Sequence, residues 1–265
     1  MDRPAYRGIL IGVLLLLAAC GQGSGTPSST DAMVGGLWTG TLTVNGVDYT
    51  ASAISSESGE WELLETDSAS GFGAQYWGMI SAAGDQLSGS FSGAVLDQAN
   101  TFSDGSMRGT GTVSGTIHER GSIAATISFT TSLGTAITGQ LALTYDSSYE
   151  QLSSLTTIAG NYTNTAAPGT DVLSIDDAGV LSYTDPLTTQ CTAAGTVTVI
   201  SSSYSVYGAE LTFSNCTGAY AVLNGVSIQG LANVDTSTSP KALRFTAHGM
   251  ENGLDSPFYL SFQGT

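Results

Sequence analysis

From Gly36 onward apolar and polar residues alternate with period two, in short runs cut by turn-forming residues, and no run longer than a turn or two has helical spacing. Period two puts every second side chain on one face of a strand, so a chain written this way folds as half-buried antiparallel strands. Residues 37–44 alternate; Asn45-Gly46 then gives a two-residue hairpin signal before Val47-Asp48-Tyr49-Thr50-Ala51. Further strands are predicted at 60–66, 74–81, 86–95, 107–118, 122–131 and 136–145, with turns at Gly84-Asp85 and Leu133-Gly134. Residues 97–106 form the longest loop of this half. Eight strands with short connections describe an antiparallel meander.

The opening pattern then recurs. Ile158-Ala159-Gly160-Asn161-Tyr162-Thr163 parallels Val34-Gly35-Gly36-Leu37-Trp38-Thr39, and Ile175 to Ser182 parallels Ile80 to Ser88 with one residue fewer. Between the halves, Ser147 to Leu155 loses the alternation and has room for one helical turn. Second-half strands are predicted at 160–165, 171–175, 180–184, 190–200, 205–214, 219–234 (broken at Asn224-Gly225), 241–248 and 257–264. The fold class is therefore all-β: two consecutive antiparallel meander domains of about eight strands each, barrels or flattened barrels. Residues 34–146 make the first domain, 147–157 a connector and 158–265 the second, and the two are expected to fold separately.

Gly109, Gly111 and Gly115 share one parity with Val113 among them, so one face of one strand lacks side chains. Such a face coils sharply or is covered by an aromatic from another strand. Trp38, Trp61 and Trp77 are candidates to fill it, with a ligand as the alternative.

The chain has three cysteines. Cys191 and Cys216 have no His, Asp or Glu close in sequence to suggest a metal site or a catalytic thiol, and are expected to form a disulfide. Matching apolar faces across strands 190–200 and 205–214 pairs Val197 with Leu211, which sets Cys191 opposite Thr217. One extra residue in the first strand, a β-bulge near Gly195, would bring Cys191 opposite Cys216.

The N-terminus carries Arg3 and Arg7, an apolar run from Ile9 to Leu17, then Ala18-Ala19-Cys20. The run is far below the roughly 20 residues of a spanning helix. Leu17-Ala18-Ala19-Cys20 resembles the lipobox of bacterial lipoproteins. That resemblance implies removal of 1–19, a diacylglycerol on the Cys20 thiol and attachment to the membrane through acyl chains. With Gly21 after the cysteine, it also implies the outer membrane. Residues 20–33, rich in Gly, Ser and Thr, read as a lipidated flexible tether.

Removing Arg3, Arg7 and Asp2 with the signal leaves 4 basic and 21 acidic side chains, a net charge of −17. Phosphates repel such a chain, which argues against nucleic acid as a partner. Gly36-Leu37-Trp38 and Gly160-Asn161-Tyr162 resemble the Gly-x-Trp that opens lipocalin- and avidin-like barrels, the second with Tyr in place of Trp. Two β-domains behind a lipidated tether are also similar in architecture to surface lipoproteins such as the factor H-binding and transferrin-binding proteins.

Residues for catalysis are scarce. His118 and His248, the two histidines, lack a second ligand at metal spacing. Gly89-Ser90-Phe91-Ser92-Gly93 and Gly111-Thr112-Val113-Ser114-Gly115 put Phe and Val where a nucleophile elbow needs Ser. No catalytic residue, metal or cofactor is assigned. Glu57, Glu60, Glu62, Glu65 and Asp67 form the densest charge cluster. Glu60 and Glu62 share one strand face opposite Trp61, which reads as a solvated face or as a docking patch for a basic partner. Candidate contacts are thus Trp38, Trp61, Trp77, Glu60 and Glu62.

The expected role is that of a non-enzymatic binding or structural module of the cell envelope, held by the lipid on Cys20, with another envelope or host protein as partner. The alternatives are a carrier of a small apolar ligand and an inhibitor of a basic hydrolase such as lysozyme. Cys20→Ser is expected to abolish lipidation; palmitate labelling that persists in that variant would refute the lipobox.

Overall fold

The computed structural model describes residues 30–67, 72–96, 100–164, 171–185, 190–251 and 254–264, with Phe72, Ala219, Met250, Glu251 and 254–264 as backbone only. The lipobox and Cys20 lie outside these residues.

The first barrel is a meander of eight strands: β1 (Gly36–Val44), β2 (Val47–Ser55), β3 (Glu60–Asp67), β4 (Phe72–Ala83), β5 (Gln86–Val95), β6 (Arg108–His118), β7 (Ser122–Thr131) and β8 (Ala136–Asp146). Each pairs antiparallel with the next, and β8 returns to β1. Asn45 and Gly46 both take positive φ, 52° and 79°, which the twist of a two-residue hairpin requires. Inward positions carry the core, including Trp38, Leu42, Trp61, Leu63, Phe91 and Phe129.

The glycine-lined face of β6 points inward. A Cβ on Gly111 would stand 2.5 Å from Phe91 Cζ, and one on Gly109 2.6 Å from Phe129 Cζ. Those two phenylalanines, stacked at 6.1 Å between ring centroids, cover the gap expected to take a tryptophan. They sit on the neighbouring strands β5 and β7, nearer than any Trp.

The second barrel comprises β9 (Gly160–Asn164), β10 (Val172–Ile175), β11 (Val180–Thr184), β12 (Thr192–Val199), β13 (Tyr207–Ser214), β14 (Ser227–Asp235), β15 (Ala242–Glu251) and β16 (Leu254–Gly264). A curled meander runs from β10 to β16, and the short β9 bridges its two ends. The β16–β9 seam is slight, pairing Phe262–Gly264 with Tyr162–Asn164. Before β14 the chain turns through a 3-10 segment, Gly218–Leu223, where strand had been expected.

The Gly-x-aromatic openings take matching places. Trp38 Nε1 donates to Ser55 Oγ at 3.1 Å, and that hydroxyl donates to Val34 O at 2.7 Å. Tyr162 donates its hydroxyl to Ile158 O at 2.5 Å. In each barrel the inward aromatic of the first strand is tied to chain just before that strand.

Cys191 and Cys216 are joined by a disulfide, with Cα atoms 4.1 Å apart. The expected bulge near Gly195 is absent. β12 and β13 pair without interruption from Thr192↔Ser214 to Val199↔Tyr207, with Gly195 opposite Leu211 and Val197 opposite Ala209. That register sets Cys191 opposite Asn215, one residue short of Cys216. Asn215 takes φ 57° and is exposed, so the extra residue lies after β13, where a left-handed Asn turns the chain and brings Cys216 inward.

Both barrels belong to one compact unit that begins at Asp31. The outer faces of β1–β4 meet those of β14 and β15. Leu37, Ile54, Leu231 and Val206 cluster around Tyr149, whose hydroxyl donates to Ser55 O at 3.1 Å and Glu57 Oε1 at 2.8 Å. Tyr149 comes from a 3-10 turn of the connector, Ser147–Glu150, and stacks on Tyr204 at 5.0 Å. Beside this cluster Gln75 Nε2 donates to Glu62 Oε2 at 2.6 Å and to Ala247 O at 2.8 Å, while His248 Nδ1 lies 2.9 Å from Glu62 Oε1.

The disulfide closes the loop between the second barrel's hairpin strands. On the chain-entropy account, replacing both cysteines by serine should cost about 3–4 kcal/mol. Urea unfolding of the double variant, set against intact protein shown by mass to hold one bridge, measures this.

Candidate functional site in the mouth of the first barrel

At one end the first barrel is stoppered by its own chain. Ala32 N donates to Gly84 O at 2.8 Å, Gly84 N to Asp31 Oδ1 at 2.8 Å and Met33 N to Glu119 Oε2 at 3.2 Å, and Val34 enters the core. Three residues of the expected tether, Asp31 to Met33, are thus docked.

Among the described residues, the other end, with the β1–β2 turn and the β5–β6 loop, has no such stopper. It holds a cavity of about 420 Å³, within the range of small-ligand sites. Leu42 and Val44 of β1, Ile127 and Phe129 of β7, and Ile137 of β8 give it apolar walls. Val47 and Tyr49 of β2, Glu65 of β3 and Tyr76 of β4 complete the opposite side. Asn100 to Ser103 form the rim.

Asp104 holds this rim in place. Its carboxylate accepts from Ser106 N at 2.9 Å and from Thr131 Oγ1 at 2.5 Å, and Phe102 N donates to Ser106 O at 2.8 Å. These hydrogen bonds hold the Asp104 carboxyl well below the usual carboxylate range. Phe102 is thereby laid against Phe129, ring centroids 5.0 Å apart.

The polar centre of the cavity is Glu65, 3% exposed. Tyr76 donates its hydroxyl to Glu65 Oε2 at 2.5 Å. Tyr76 is itself fixed edge-on against Phe91 and Phe129, at 5.5 and 5.7 Å. Burial pushes the Glu65 carboxyl up to about 7, against the opposing pull of the Tyr76 hydroxyl. Burial also raises Tyr76, with the negative charge of Glu65 adding to it, and the Tyr49 phenol is raised first by burial and then by Glu65 and Asp67. Among the described lining residues there is no lysine, arginine or histidine. One carboxyl and two phenols in apolar walls can hydrogen-bond or ion-pair a ligand while its hydrocarbon part is buried. Among the described residues no group of three or more His, Cys, Asp or Glu is placed to hold a metal ion.

The candidates drawn from sequence lie elsewhere. Trp38 and Trp61 are buried in the core, Trp61 edge-on to Phe91 at 6.1 Å. Trp77 points outward and stacks on His248 of the second barrel at 5.1 Å. Glu60 is half-buried. Glu62, 1% exposed, lies on no solvated face: the second barrel covers it, and burial raises its carboxyl despite the lowering effect of His248 and Gln75. The structure therefore brings Glu62 and Trp77 together at the interface between barrels and leaves Trp38 and Trp61 apart from them. His118 is exposed at the end of β6. The sequence reading missed Glu65 as a site residue. The signal was its parity, since it shares the inward face of β3 with Trp61 and Leu63.

Neither a protein-family model nor a curated protein sequence matches the chain.

The raised Glu65 carboxyl fixes a sign for stability against pH. The proton is favoured in the folded state, so the stabilisation is complete below about 4.5 and is lost as pH rises through about 7. Glu65→Gln should remove this loss, gaining on the order of 3 kcal/mol at pH 8 relative to pH 4 against the unsubstituted protein. Urea unfolding at the two pH values tests it. Glu62, raised in the same direction, leaves a residual slope in the variant.

Proposed function

We propose that this chain is a lipid-anchored protein of the bacterial outer membrane whose first barrel carries a small, largely apolar ligand in its mouth. The observation that supports the reading is the cavity of about 420 Å³, walled by Leu42, Val44, Ile127, Phe129 and Ile137 around one buried carboxyl. A barrel core of this size is ordinarily filled by side chains. Here the filling by Phe91 and Phe129 stops short of one end.

The lipobox-like Leu17-Ala18-Ala19-Cys20 supports the anchor. The described chain enters the barrel at its stoppered end, through Asp31 to Val34. Attachment through Cys20 would therefore meet the barrel at the end opposite the mouth. The protein acts by binding, without catalysis. The net charge of −17 serves solubility and rejection of anionic polymers more directly than it serves docking on a basic hydrolase.

Val44→Trp tests the carrier. Val44 is half-buried at the mouth, so an indole there should fill the cavity without entering the packed core. The unsubstituted protein should enhance the fluorescence of a neutral naphthylamine dye. The variant, with its circular dichroism and melt unchanged, should bind the dye at least tenfold more weakly. Equal binding by the two proteins would exclude the mouth as the site.

A further inference from the structure

We infer that the mouth cavity is selective for an apolar amine, its nitrogen held against the Glu65 carboxylate and its hydrocarbon part among the surrounding rings. The inference rests on the carrier reading and adds the charge and chemical class of the ligand.

A carboxyl in an apolar cavity is costly unless it is neutralised or paired. Tyr76 occupies Glu65 Oε2, which leaves Oε1 to a ligand. No cationic side chain lines the cavity among the described residues. A neutral ligand leaves the carboxylate unpaired, and a fatty acid sets a second negative charge beside it at low dielectric. An ammonium group meets the deficit. It donates charge-assisted hydrogen bonds, stronger than those of a hydroxyl. Tyr49, Tyr76 and Phe102 also line the cavity, and a cation over the face of such a ring is stabilised there. Burial disfavours the ionised form of Glu65, and a cation at the carboxyl would offset that cost. Glu62 makes the contrast: equally buried on the same strand, it is already paired with His248 and Gln75. The hydrocarbon part of the ligand would lie against Leu42, Ile127 and Ile137.

Calorimetry on the mature chain carrying Cys20→Ser, with n-octylamine, 1-octanol and octanoate, tests the inference. The amine should bind at least tenfold more tightly than the alcohol, and octanoate more weakly than either. Glu65→Gln should abolish the preference for the amine over the alcohol. Val44→Trp, which keeps the acidic surface, should abolish binding of the amine and so separate the cavity from general attraction to a −17 protein. If the alcohol or octanoate binds as tightly as the amine, or Glu65→Gln keeps the preference, the amine class is wrong and the carrier stands. If none of the three binds, the carrier falls with it. The comparison of ligands on the unsubstituted protein decides the matter even if a variant fails to fold.

Discussion

Closure of the first barrel through β1 is the constraint from which its other features descend. Every residue from Leu37 to Val44 is paired on both sides, with β2 and with β8. A closed sheet has no edge strand open to pairing with other chains. It also has an inside, and alternation assigns each residue to it or to the outside. The inside must then be filled to the density of a protein interior. Phe91 and Phe129 do this where β6 offers only glycine, and Trp38 does it at the stoppered end. Towards the other end the inward residues include Val44, Tyr49 and Glu65, which line a cavity. The second barrel closes on a much shorter seam, and its disulfide lies in a core with Tyr162, Tyr207 and Phe245.

Much of this was legible in the sequence because alternation is a local property. Apart from 219–223, which turn as a 3-10 segment, the strands fall within a few residues of where alternation puts them, and Asn45-Gly46 makes the turn its residue types require. Registry in β12–β13 was less legible. Matching apolar faces fixes only parity, and registers two residues apart satisfy it equally, so Val197 meets Ala209 instead of Leu211. Least legible was what covers an outward face. Glu62 looks solvated from β3 alone, because the histidine that meets it stands 186 residues away. Glu65 was readable in principle, since a carboxylate on inward parity contradicts the rule that inward means apolar. Contradictions of that kind gather at functional or strained positions.

Glu62 and Glu65 show how one strand serves two purposes. Three residues apart, they project from opposite faces of β3, and burial raises both carboxyls. On the outer face the hydrogen-bonding needs of the carboxyl are met by Gln75 and His248, which knit one barrel to the other. On the inner face Tyr76 donates to Glu65, and the carboxyl borders the cavity at the mouth of the barrel. The first arrangement joins the two barrels; the second borders a cavity.

The stopper formed by Asp31 to Val34 has a mechanical consequence. Any pull transmitted through the N-terminal segment enters the fold at the head of β1 and runs along that strand. Ladder hydrogen bonds lie across the strand direction. Tension along β1 therefore loads the bonds to β2 and β8 together, in shear, instead of peeling them singly from one end. A barrel pulled through this strand resists being drawn open.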